Sequence, residues 1–319
     1  VKRHYKLPIL ATGLLAAGGL RASWEAPFTT ELRAAGLLAK PVEMGTRDKI
    51  GQTSSVVALG GLRTLVATFL NLRAFSFFEN KRWDDLAETF DLIVDLAPNT
   101  IYYWDSGGWN LAYNAASYYR FDSELPALRR REGWRESILR GRAFYERGAK
   151  MNPDDWKINA ALGRMLSDSN KLTDFPAAAA AFKASADTNR APSYVRRSQL
   201  FAMARAPGLE AESLDLARRL YLNPSNRVAT LSCLLLALEC RATPDRPPLK
   251  VARAIFESDA AAHDQLSDYW VRVRERYPLD GVATALQELE KHLAIPAEKS
   301  VFRRALQSAE GPDDWFRTR

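Results

Sequence analysis

The residue types that carry most enzyme chemistry are present in this 319-residue chain but scattered. Its three histidines, His4, His263 and His292, are far apart, and none stands at the spacing that puts two metal ligands on one helix face. Its two cysteines, Cys233 and Cys240, lie seven positions apart in an apolar run. On a helix that separation is about 10 Å, more than the roughly 7 Å between Cα atoms that a disulfide tolerates, so both read as buried free thiols. Gly60-Gly61 opens a helical run with no strand before it and is not a phosphate loop. No Gly-x-Ser-x-Gly elbow is present. The carboxylate pairs Asp84-Asp85 and Asp154-Asp155 fall at helix starts, where they complement the helix dipole. A helical enzyme with dispersed acid and base, for example Asp105 and Glu79, would need a cleft with converging carboxylates. The expectation is a chain with no catalysis of its own, no metal and no cofactor.

Recognition chemistry is better represented. Between Tyr102 and Tyr119, helical spacing puts Trp104, Gly108, Leu111 and Ala115 on one side and Trp109, Asn110, Tyr113 and Asn114 largely off it. Aromatic rings beside adaptable amides suit the capture of a peptide. The same rings would also serve as a stacking platform for a small molecule or glycan. Against both stands packing of Trp109 and Tyr113 on the N-terminal segment or on an insertion.

The elements that hold these residues are helices. From about residue 54 the apolar positions follow helical periodicity, and no hairpin dipeptide flanked by alternating β-branched residues occurs. An internal repeat is visible. Leu86, Phe90 and Ile93 precede Pro98 by the same offsets at which Gly141, Tyr145 and Gly148 precede Pro153. A third copy carries Phe175, Ala178, Phe182 and Ser185, and a fourth ends at Pro224 and Asn226. Partner segments carry Trp104 with Gly108, and Leu162 with Gly163. Small residues at Gly108 and Gly163 allow close helix approach, and aromatics such as Phe90 or Tyr145 fill the groove alongside. An insertion, roughly Phe121 to Gly133, separates the two helices of the second unit, and extra residues stand near Ser167 to Lys171.

These residues resemble the tetratricopeptide repeat signature: Trp, then Leu-Gly on a first helix, then Ala, Phe and Pro around a second. The resemblance runs from about Leu62 to Asn226. It implies an all-α fold, an α-solenoid of divergent helix pairs with non-repeat capping helices. In that repeat the first helix of each unit lines a concave groove. The positions this implies are Asn71, Phe75 and Phe78, then Tyr102, Asp105, Trp109 and Ala112 or Tyr113, then Lys157, Ala160 and Arg164. The block from Ala58 to Ala116 also resembles the front end of a group of membrane-anchored bacterial repeat proteins, which implies an envelope location and no particular activity.

The chain opens with Lys2, Arg3 and Lys6, followed by fourteen mostly apolar, uncharged residues from Leu7 to Leu20. That run is short for a membrane span and suits a signal-peptide core. An uncleaved anchor, a cleaved export signal and an ordinary buried helix are the alternatives. The first two put the body of the protein outside the cytoplasm, anchored at the membrane or exported in soluble form. The expected organisation is an anchor or signal at 1–22, an irregular connection at 23–53, repeats at 54–240 and capping helices at 241–319. The net charge of +7 is mostly interspersed, and no nucleic acid is expected. The densest basic stretch, Arg129 to Arg147, alternates with Glu132, Glu136 and Glu146 and reads as a solvated face with i,i+4 pairs or as an anion-binding patch. The partner is expected to be a protein or peptide.

Overall fold

A computed structural model describes residues 63–273 and 276–303. The expected N-terminal anchor, the connecting segment and the start of the repeat region lie outside the described residues. What is described is helical, with no strand among the described residues. None of its helices is long and apolar enough to cross a membrane.

The helices are α1 (Arg63–Glu79), α2 (Trp83–Leu96), α3 (Ile101–Trp109), a π-helical turn (Asn110–Ala115), α4 (Ala116–Phe121) and α5 (Ala127–Met151). They continue as α6 (Trp156–Ser167), α7 (Phe175–Asp187), α8 (Ser193–Met203) and α9 (Glu210–Leu222). A 3-10 turn (Pro224–Asn226) then leads to α10 (Ala229–Ala242), α11 (Pro248–Ile255), α12 (Asp259–Val273) and α13 (Val282–His292). Acidic residues start several of them. Asp84 and Asp85 lie in the first turn of α2. Asp155 caps α6 by accepting from the backbone N–H of Lys157 at 2.8 Å, and Asp174 caps α7 with Pro176 just inside. Neighbours in sequence are neighbours in space, and short turns reverse the chain between them.

Close helix contacts fall where the sequence placed small residues. A Cβ added at Gly108 would stand 2.6 Å from the Tyr145 ring, and one at Gly163 would stand 2.9 Å from the Phe182 ring. Both glycines follow a proline, Pro98 or Pro153, by ten positions. Pro98 also anchors its turn, because its carbonyl accepts from Trp104 Nε1 at 2.7 Å and Asn152 Nδ2 at 3.1 Å. Phe90, Trp104, Tyr145 and Phe182 are all buried. The offsets hold only in part at the fourth copy. Counted back from Pro224, Leu216 matches Phe90 and Tyr145 and is buried, but the flanking positions Glu212 and Arg219 are exposed, and Pro224 begins a separate 3-10 turn beyond the helix.

The second unit differs from expectation. The stretch from Phe121 to Gly133 is only in part a loop: α5 begins at Ala127, so most of it lengthens the second helix. The segment from Ile101 to Phe121 forms one rod that α5 follows in antiparallel fashion. Gly133 faces Tyr119, Gly141 faces the backbone of Ala112, and Gly148 faces Trp104. The added turns have a small core of Ala116, Trp134 and Ile138, with Tyr119 and Leu172 against it. The basic stretch on α5 also pairs otherwise than expected. Arg142 with Glu146 is an i,i+4 pair, at 2.7 Å. Arg140 and Arg147 reach across to Asp84 (2.5 Å) and Asp91 (2.7 Å) on α2, and Arg142 reaches Asp174 (2.9 Å). These pairs are largely exposed, each worth about 0–1 kcal/mol, and they set helix register more than stability.

At the other end, α10 is apolar all round because it serves two cores. Leu231, Leu234, Leu235 and Leu238 join the main core, while Cys233, Leu236, Ala237 and Cys240 join a second core with α11, α12 and α13. Each set is a stripe at i, i+3, i+4 and i+7, on opposite faces. The division drawn at residue 240 thus falls at the end of a helix that both cores share. Both cysteines are buried and free.

Candidate functional site

The groove residues named from sequence gather in two groups, with Lys157 apart from both. The first group lines a cleft of about 250 Å³ between α1, α2 and α3. Asn71, Phe75 and Phe78 come from α1 and Tyr102 from α3, over a floor of Leu86 and Phe90. Phe75 and Tyr102 are exposed at 61% and 62%, which is high for rings of this size. Phe75 and Phe78 stack with centroids 6.4 Å apart, and Phe78 meets Trp83 edge-on at 5.8 Å. The Lys81 ammonium lies 5.1 Å from the Phe78 centroid. This row of rings is held from behind and open in front.

Two polar residues complete the cleft: Asn110, placed by its spacing on the recognition side but not among the groove positions, and Ser106, which the sequence did not single out. Asn110 Nδ2 donates to the Ser106 carbonyl at 2.9 Å, and Asn110 Oδ1 accepts from Asn114 Nδ2 at 2.9 Å. Asparagine side chains that bond the backbone compete with the helical ladder, and here the ladder widens into the π-helical turn. Such turns recur at functional sites. The signal was the i,i+4 series Ser106, Asn110, Asn114. Asn71 is half-buried, and its amide makes no hydrogen bond with described residues.

The second group surrounds Tyr113. The Trp109 ring stacks on it with centroids 4.2 Å apart and planes 14° from parallel, while the Lys171 ammonium sits 4.6 Å from the Tyr113 centroid. Burial, then the charge of Asp168, pushes the Tyr113 phenol up to about 12, and Arg164 opposes this. Tyr145 donates to the backbone and side-chain oxygens of Asp105, both at 3.3 Å. Asp105, Trp109, Tyr113 and Arg164 are thus brought together, and Trp109 is half exposed. Asp168 and Lys171, from the extra residues after α6, were not expected here. Lys157 is exposed on α6, seven residues and about 10 Å along the axis from Arg164. Ala112 and Ala160 are fully buried packing positions, with Ala112 under Gly141. Asp105 therefore serves as an acceptor for Tyr145, and no described contact joins it to Glu79.

Among the described residues no cluster of histidine, cysteine and carboxylates could hold a metal ion. In comparisons with known proteins, no family model matches this chain and no curated protein matches it.

Proposed function

We propose that this chain is a divergent tetratricopeptide-like α-solenoid that works as a protein-interaction scaffold, held at a bacterial membrane by its N-terminal segment with the repeats outside the cytoplasm. The repeated proline, aromatic and glycine offsets support the repeat reading, and the basic and apolar opening of the sequence supports the location. The observation that carries the binding role is the aromatic cleft, in which Phe75 and Tyr102 stay exposed beside the Asn71 amide, which bonds no described residue. Exposed rings on a supported wall supply anchor area, and an amide can pair with a peptide backbone. The apolar face of α1 continues this surface through Leu65, Phe69 and Leu72, all more than half exposed. Contiguous apolar surface of this kind marks interaction sites. The occupant is a protein segment that brings aliphatic or aromatic side chains to the cleft.

The test is co-purification from solubilised membranes with wild type, a Phe75→Ala/Tyr102→Ala variant and an α2 surface control, Glu88→Ala. Because both rings are exposed, the double variant is expected to melt near wild type. A partner kept by wild type and Glu88→Ala but lost by the double variant supports the reading. A folded double variant that keeps every partner would overturn it.

A further inference from the structure

A second cleft, on other helices, presents a different chemistry. It has a volume of about 510 Å³ and is lined by the loop after α6, the end of α8, the first turn of α10 and the residues after α12. At its wall stands Arg205. The guanidinium carbon lies 4.2 Å from the Phe175 centroid and 4.8 Å from that of Tyr277. Arg205 Nε donates to the Phe201 carbonyl at 3.0 Å, and Phe201 meets Tyr277 edge-on at 6.0 Å. The side chain is therefore fixed by aromatic rings and by one backbone bond.

Arginine has five N–H donors, and among the described residues one of them is used. A partly buried guanidinium ordinarily finds a carboxylate, because an unpaired charge out of water is costly. Among the described residues no carboxylate pairs with Arg205, and its neighbour in the cleft is a second cation, Arg276. Burial, with Arg276 adding to it, pushes the Arg205 guanidinium below its ordinary value. The cleft also contains Asp168, and half-buried Ser169 and Thr230, whose hydroxyls bond no described residue. Among the described lining residues, two cations against one carboxylate leave a single positive charge to match.

We infer that this cleft binds a small monoanionic carboxylate that also carries hydroxyl or amide groups, with the fixed Arg205 fork taking the carboxylate and Ser169 and Thr230 taking the neutral polar groups. The fork geometry of guanidinium matches a carboxylate in a two-bond pairing. The volume lies within the range of small-molecule sites. Asp168 disfavours ligands with two or more negative charges.

The experiment is thermal melting of the full chain titrated with sodium lactate, inorganic phosphate or sodium chloride at matched ionic strength. Lactate is expected to raise the melting temperature saturably beyond chloride, as a ligand that binds only the folded state must. Arg276→Gln, at an exposed position, should melt as wild type without ligand and need about tenfold more lactate, and Arg205→Lys should abolish saturation. The inference fails if lactate acts no better than chloride, if phosphate acts as strongly as lactate, or if both variants respond as wild type does.

Discussion

Single residues divide this protein into positions fixed by packing and positions left free. Gly108 belongs to the first kind, since the Tyr145 ring occupies the space a Cβ would need. Gly108→Ala should lower stability by about 1–3 kcal/mol, read as a fall in the melting temperature, and an unchanged melt would mean that the ring moves aside without cost. The cysteines belong to it as well. Burial pushes the Cys233 thiol up to about 12 and the Cys240 thiol up to about 11. The unfolded chain gives up these protons from about pH 8.5 upward, while the fold keeps them. Their contribution is therefore intact below that pH and is lost as pH rises toward the folded values. Native protein at pH 8 should resist iodoacetamide at both sites and react fully in denaturant, with intact mass as the readout. Gly108 and Gly163 were legible in sequence because each stands ten residues after a proline, whereas Gly133, against Tyr119, carried no such signal. The division of groove residues into two groups was not, because it depends on where Lys171 and Asp168 reach from a loop with no periodic signal.

At the scale of elements, caps and turns account for most helix boundaries. Asp155 and Asp174 start α6 and α7. Three helices end on residues other than glycine with positive φ: Lys81 (57°), Asn189 (57°) and Ala294 (50°). After α13, the Ile295 N–H reaches back to the Glu290 carbonyl at 2.9 Å, a left-handed closing turn. An alanine there bears steric strain that glycine would not. Ala294→Gly is expected to stabilise the protein by about 1 kcal/mol, measurable by urea denaturation, and a loss of stability would mean that the closing turn does not depend on this strain. The length of α5 was misjudged from sequence for a physical reason. Its charged turns from Arg129 to Glu132 look like a loop when read against a repeat of normal length, yet Gly133 and Trp134 give them a packing face. The π-helical turn was likewise hidden, since periodicity is a regional signal and an asparagine bond to a carbonyl is a local one.

For the whole molecule, helix class followed from periodicity, and shared offsets motivate the proposed repeat. What periodicity could not show is how the C-terminal helices join the rest. That junction runs through α10, whose two stripes serve two cores, so the main core passes into the second without a linker. The first described helix, α1, is apolar on both faces, and one of them is exposed beside the aromatic cleft. Contiguous exposed apolar surface marks interaction sites, so this surface is the strongest pointer to a partner. The most direct measurement places a photo-crosslinking amino acid at position 75 of the full chain in cells, with position 88 on α2 as the control. The account predicts a discrete crosslinked protein at position 75 that is absent at position 88 and is lost when Tyr102→Ala is added. The same products at both positions, or none at position 75 while the protein is folded, would contradict it.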